Sequence, residues 1–353
     1  MAKRKGRDGL ADLTPTLKDV AQRVGLTPGT VSAVLNDSPS AHAIPQHTKD
    51  RILAAAEELN YHPNFLARSL RSKRTYTVGV ITEEIGDPYG GMVISGIEAY
   101  LSERRYFFIT VAHRHKYELL QQYAGMLTSR GVEGLITIDT SLRQPALIPT
   151  VAVAGRQHVD GVTNIVLDQD HAAEIALQHL QELGHREIAF MKGQPFSSDS
   201  EDRWRAILSA ARRLGIPVRQ SLTMQLDQDD PSPHLAHKHT SELLARNPHF
   251  TALFAYNDIS AIGAIRAIRE TGRRVPQEVS VVGFDDIRDA AYHVPALTTV
   301  RQPLRSMGHL AAQTLVERIE NPGNFPSEIS VMPELMIRET TTAVSHDRLQ
   351  TAS

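Results

Sequence analysis

A chain of 353 residues, 41% hydrophobic and 22% charged, exceeds one ordinary core and has the composition of a globular protein of two or three domains. No window nears the ~20 consecutive apolar residues of a membrane helix, the basic start "MAKRKGRDGL" is followed by no apolar signal core, and the lack of cysteine excludes disulfides and thiolate sites. The net charge of -2 hides an asymmetry: residues 1–74 hold 12 Lys+Arg against 7 Asp+Glu, and the remainder 26 against 33. A cytoplasmic protein without membrane contact is expected, with a basic end that suits nucleic acid; a charged run on a solvated face is the bland alternative.

Residues 1–15 read as a disordered basic tail. From there Leu17, Val20, Ala21 and Val24 repeat at helical spacing, with Thr16 as N-cap and Gly25 as stop. After Leu26, Thr27 can cap a second helix whose first residue is Pro28, where a missing N–H costs nothing, and whose buried face is Val31, Val34 and Leu35. A loop rich in Ser, Pro and Ala leads to a third apolar stripe, Ile52, Ala55, Ala56 and Leu59, that would close a three-helix core over residues 16–62. On these residues alone a plain helical hairpin competes with a helix-turn-helix.

Residues 63–75 follow as a linker. Its run Asn64 to Arg71 is too short to hold helix in water. On DNA it could order, presenting Leu70 as an apolar wedge and Arg68 and Arg71 to phosphates or minor-groove edges, with Asn64 and Ala67 in the same contact set.

From Tyr76 the pattern changes to short β-branched runs separated by helices: "TVGVI", "YFFITVA", "VEGLITI", "PTVAVAG", "NIVL", "EIAFM", "SLTMQL", "TALFAY" and "VSVVGF". That alternation predicts parallel sheets covered on both faces, in two lobes with a cleft at the carboxyl ends of the strands. After "PELMIRETT" only a tail, 343–353, remains, with no heptad leucines to build a coiled coil.

Six motifs in order, "TLKDVAQRVG", "TVSAVLN", "YHPNFLARSL", "FAYNDISAIGAIRAIRETG", "VPQEVSVVGFDDI" and "PALTTVRQP", make residues 16 to about 340 resemble the lactose-repressor (LacI/GalR) family of bacterial transcription factors. The resemblance implies an all-α helix-turn-helix DNA-binding domain plus an α/β two-lobed, periplasmic-binding-protein-like effector domain over 76–342, with lobe crossovers near residues 170, 298 and 325. It also implies that the second helix enters the major groove and that the linker becomes a hinge helix in the minor groove, where leucines from two subunits kink the central base step.

The family's base-reading positions fall here on Pro28, Gly29 and Ala33, none with a polar side-chain group. What remains is apolar contact of Pro28 and Ala33 with thymine methyls and a close backbone approach at Gly29. Thr16, Thr27, Thr30, Ser32 and Asn36 can hold phosphates and set register. Discrimination would then shift to the deformability of the step that Leu70 opens.

For the cleft, the resemblance carries over Tyr89 as a pocket-lining residue, Arg203 as the group that grips the effector, and Asn257 and Asp285 as second-lobe contacts. Asp139 stands at a strand end facing the cleft. Two carboxylates, a guanidinium and an aromatic ring suit the hydroxyls and C–H face of a sugar or nucleoside-like ligand. Against this, Asp285 can be a structural cap, Asn257 and Asp258 can cap the following helix, and Gly90 stands where some relatives carry an aromatic ring.

No Walker A pattern, no dinucleotide fingerprint and no strained serine elbow is present, so neither an enzyme nor a cofactor is expected. His234, His237 and His239 of "PHLAHKH" read as a histidine-bearing surface rather than a metal site, and His185 as structural. The expected protein is a homodimeric, ligand-regulated repressor of a carbohydrate catabolic or transport operon, acting on a near-palindromic duplex. A solute-binding protein for import, sharing the two-lobed fold, is the alternative.

Overall fold

The computed structural model describes residues 15–62, 69, 73–140, 142, 144, 147–155, 158–227, 233–246 and 249–344. The chain divides into two compact units, 1–75 and 76–353.

Among its described residues the first unit holds three α-helices, α1 Leu17–Val24, α2 Pro28–Leu35 and α3 Gln46–Glu58, with a 3-10 helix Pro39–Ala43 in the loop before α3. Thr16 opens α1: its backbone N–H and its hydroxyl both donate to the Asp19 carboxylate at 2.7 Å. Gly25 closes it at φ 69, a left-handed conformation that costs glycine nothing. Thr27 caps α2 by accepting from the Thr30 N–H at 3.2 Å. The predicted stripes meet in one core, with Val20, Val31 and Ile52 fully buried and Leu17, Leu35 and Leu59 packed at its margin. Arg51 of α3 donates to the Val24 carbonyl at 2.9 Å, satisfying a carbonyl that α1 leaves open at its end.

The second unit holds two six-stranded sheets. In the first lobe, β1 Thr77–Thr82, β2 Phe107–Ala112, β3 Gly134–Ile138, β4 Thr150–Val153, β5 Val162–Leu167 and β11 Glu328–Val331 run in the order β11-β5-β4-β3-β1-β2, all parallel. In the second, β6 Ile188–Lys192, β7 Thr223–Gln225, β8 Ala252–Phe254, β9 Ser280–Asp285, β10 Thr298–Arg301 and β12 Glu334–Met336 run β12-β10-β9-β8-β6-β7, parallel except for β12.

The first sheet is covered by α4 Pro88–Glu103, α5 Tyr117–Ser129 and α11 Leu304–Glu320. The second is covered by α6 Gln169–Glu182 and α7 Ser200–Leu214 on one face and by α8 Pro233–Ala245, α9 Asp258–Glu270 and the short α10 Arg288–Tyr292 on the other. All nine predicted strand runs appear; the inner strands β1, β3, β4, β8 and β9 are buried throughout, as in a sheet covered on both sides, whereas the edge strand β2 is partly exposed.

The chain passes between lobes three times. The first passage, at Asp168, lies where expected; the others lie between β10 and α11 and between β11 and β12, later than 298 and 325. The reason is that "TTVR" stays in the second sheet and "EISV" adds an edge strand to the first. The returning helix α11 is held by backbone contact with α4. A Cβ on Gly96 would stand 2.0 Å from the Arg305 carbonyl oxygen, and one on Gly308 2.0 Å from that of Val93, so only glycine permits this approach.

Candidate functional site

In the first unit, Thr27, Pro28 and Gly29 are exposed at the start of α2, Thr30 and Ser32 are half-buried, and Asn36 is exposed at its end. Their polar groups are mutually supported: the Thr27 and Thr30 hydroxyls lie 2.9 Å apart, and the Asn36 amide donates to the Ser32 carbonyl at 2.8 Å and to its hydroxyl at 3.2 Å. The added Cβ of an alanine at position 29 would meet only Thr27 Oγ1 at 3.7 Å. Packing within the unit therefore gives no reason for glycine there.

Ala33 is 9% exposed and packs in the core with Val20 and Ile52, so the methyl group expected to meet a thymine is largely covered by its own unit. The linker residues Asn64, Ala67, Arg68, Leu70 and Arg71 lie outside the described residues.

In the second unit, Tyr89, Asp139, Arg203, Asn257 and Asp285 line one cavity of about 100 Å³ between the lobes. Each reaches it from a strand end or the helix that follows, where open α/β sheets present ligand-binding loops. Asp139 leaves β3 at φ 47 and Asp285 ends β9 at φ 111, conformations disfavoured for residues with a Cβ and held by their surroundings. Tyr89 stands in the first turn of α4, whose N-terminus is capped by Asp87 accepting from the Gly90 N–H at 2.9 Å. Its hydroxyl is buried and has no hydrogen-bond partner among the described residues.

Arg203 is 3% exposed. Its guanidinium pairs with Asp199 one turn earlier on the chain, donates to the Tyr256 carbonyl at 2.7 Å and to Gln169 at 3.4 Å, and lies 3.7 Å from the Phe284 ring centroid. The residue expected to grip a ligand is thus also the brace of the second lobe, and it lines the cavity as well. Asn257 shares that double role: its side-chain oxygen caps α9 by accepting from the Ser260 N–H at 2.9 Å. Asp285 accepts from the Gln302 amide at 2.7 Å, which anchors the carboxylate without removing it from the cavity. Asp258 is structural, buried and accepting from the Thr299 hydroxyl at 2.5 Å and the Ile287 N–H at 2.9 Å.

The lobes touch at the cavity's edge. Ser198, from the loop before α7, donates its backbone N–H to Asp139 at 3.0 Å, and its hydroxyl bonds both Asp139 and the Ala154 carbonyl. The His115 ring of the first lobe packs against Phe196 of the second, centroids 4.1 Å apart.

Burial governs the charges here. Asp139 is pushed up to about 6 by burial and by the neighbouring Asp199 carboxylate, against the Ser198 hydrogen bonds. Burial likewise raises Asp285 well above the usual carboxylate range, with Arg203 opposing, and raises Asp87, with the Gly90 N–H opposing. The phenols of Tyr89 and Tyr256 are raised well above 10 by burial and by nearby carboxylates, so both stay protonated donors.

The sequence reading missed Glu83, Glu84, Asp87, His115, Phe196, Asp199 and Tyr256, all of which line the cavity. Asp199 carried a signal, four residues before Arg203 in "DSEDR"; the others come from loops whose placement no spacing reveals. Elsewhere, His237 pairs with Glu270 at 2.7 Å and His239 with Asp227 at 3.4 Å. His185, 3% exposed, bonds the Thr251 hydroxyl and the Thr342 carbonyl, a structural role. No described helix is long and apolar enough to cross a membrane.

Residues 16–64 match the profile of bacterial regulatory proteins of the lacI family, and residues 177–341 that of a periplasmic binding protein-like domain. The chain is 32% identical over 334 residues to the HTH-type transcriptional repressor PurR of Yersinia pestis bv. Antiqua (strain Antiqua), covering 92% of this chain and 96% of that one. Among solved structures it is similar to the Lac repressor dimer bound to operator and the anti-inducer ONPF, with a TM-score of 0.82 and 26% identity over 94% of this chain and all of that one. It is also similar to the transcriptional regulator CelR in complex with cellobiose, with a TM-score of 0.68 and 29% identity over 92% and 99% of the two chains.

Proposed function

The chain belongs to the lacI family of bacterial regulatory proteins, and on that footing we propose that it is a ligand-responsive repressor of a carbohydrate catabolic or transport operon. The observation that carries this reading is the pairing, in one chain, of a helix-turn-helix unit with a two-lobed unit whose cleft is lined by polar side chains and aromatic rings. A helix that presents Thr27, Pro28 and Gly29 to solvent suits entry to a major groove. Carboxylates that accept, phenols that donate and rings that cover C–H faces suit a polyhydroxylated ligand. Cellobiose in the CelR complex is a ligand of that kind.

In this reading the protein acts as a homodimer in the cytoplasm on near-palindromic DNA. One hinge segment, 63–75, has too few interactions to stay helical alone, whereas two packed together in a minor groove hold each other. A ligand in the cleft favours one arrangement of the lobes, and its differential affinity for the two arrangements sets how far it shifts hinge folding. Two-fold symmetry of the dimer requires two half-sites.

Selection of bound duplexes from a random pool, with and without sugars and nucleosides, tests the proposal. The expected result is a near-palindrome whose retention changes with one ligand and falls steeply with salt. Retention indifferent to salt and to sequence would instead favour a solute-binding protein.

A further inference from the structure

We propose that the ligand of the cleft carries a protonated amine among its hydroxyls, as an amino sugar or amino polyol does. This rests on the reading of the cleft as an effector site and names the class of effector.

Six carboxylates line the cavity, those of Glu83, Glu84, Asp87, Asp139, Asp199 and Asp285. Two of them have a basic partner: Asp199 the guanidinium of Arg203, and Glu83 the imidazole of His115. Asp87, Asp139 and Asp285 receive their hydrogen bonds from neutral donors, namely the Gly90 N–H, Ser198 and the Gln302 amide. Glu84 has no cationic partner among the described residues. The charge of Arg203 reaches Asp285 as well, but three of its hydrogen bonds already go to Asp199, the Tyr256 carbonyl and Gln169. The cavity therefore holds more carboxyl groups than basic ones, and burial favours the neutral forms of Asp87, Asp139 and Asp285 unless a cation pairs with them.

Tyr89 supplies an independent sign of a ligand. Its buried hydroxyl lines the same cavity with no partner among the described residues, and a polar group left so is costly unless something in the cavity completes its bonding. An ammonium donates three hydrogen bonds, one of which the Tyr89 oxygen can accept while carboxylates take the others. The Phe196 and His115 rings, at one edge of the cavity, cover the C–H face of a sugar ring. A neutral sugar would satisfy lone pairs but offer these carboxyls no cation. A phosphorylated sugar would place a further acid beside them.

The test uses the full chain and matched sets of probes: glucose, galactose and mannose, each with its 2-amino and its 6-phosphate derivative, titrated by calorimetry. The expected result is that one amino sugar binds at least about tenfold more tightly than its parent, with no binding by its phosphate ester, and that E84Q lowers the amine's affinity more than the parent's. A parent sugar or ester that binds as tightly as the amine, or a panel in which no amine binds, overturns the inference. The regulator reading stands or falls separately. A neutral ligand that alters operator retention preserves it while overturning the amine; a chain that selects no duplex sequence defeats it whatever the cleft binds.

Discussion

Ser198 of the second lobe holds Asp139 of the first through its backbone N–H at 3.0 Å and through its hydroxyl. The clasp joins a buried carboxylate to neutral donors, so its strength depends on the state of that carboxylate. Burial raises Asp139 from 3.8 to about 6. A carboxyl raised on folding contributes stability that is complete below about pH 4 and is lost as pH rises through about 6. Asp139→Asn keeps the accepting oxygen and removes the charge. We predict that it raises stability at pH 8 by roughly 1–3 kcal/mol and leaves it unchanged near pH 4, read by urea denaturation at both. Equal effects at both pH values would refute the assignment.

Tyr89→Phe removes a hydroxyl that has no partner among the described residues. The unliganded protein should lose no stability and gain up to about 1 kcal/mol, while the response of operator binding to ligand weakens. A thermal melt without ligand and a ligand titration separate the two effects. Destabilisation would show that the hydroxyl has a partner in the folded chain.

Arg203→Ala leaves the Asp199 carboxylate buried without its cation, which should cost about 3–5 kcal/mol and abolish the ligand response. In the double variant Asp199→Asn with Arg203→Ala, much of that loss should return, because neither charge is then stranded. The measurement is a double-mutant cycle in denaturant; additive losses would mean the two side chains act independently.

Gly29→Ala should stabilise the first unit by up to about 1 kcal/mol, since alanine is the better helix former and its Cβ meets only Thr27 at 3.7 Å. Specific duplex binding should nevertheless weaken, if the backbone at Gly29 is what approaches the bases. Unchanged operator affinity in the stabilised variant would remove Gly29 from the interface.

Leu70→Ala should weaken binding to a selected palindrome far more than to random duplex, because a wedge contributes only where a step opens for it. Competition binding measures both, and equal losses would contradict the wedge.

Legibility differed between the two units for a physical reason. In the first, the three α-helices could be drawn from local pattern because caps and apolar stripes lie within a few residues of each other; Thr16, Gly25 and Thr27 mark ends, and Val20, Val31 and Ile52 mark the core, while the 3-10 helix Pro39–Ala43 falls in a segment read as loop. In the second, strand runs such as "VSVVGF" were plain, but β11 and β12, three or four residues long and partly exposed, carry too weak an alternation to be seen, and the crossovers shifted accordingly.

By itself the amino-acid sequence determined the class of each unit, because periodicity and motif spacing are local properties of the chain; the family resemblance supplied Tyr89, Arg203, Asn257 and Asp285, and a strand end Asp139, all of which reach one cavity. Only the tertiary structure decided that Arg203 braces Asp199 before it meets any ligand, that Ser198 ties the lobes through Asp139, and that six carboxylates outnumber the basic groups around the cleft. Those relations join residues as much as 202 positions apart, Glu83 to Asp285. They depend on desolvation and Coulomb interaction, which act across space once the sheets are assembled and leave no periodic trace in the order of residues.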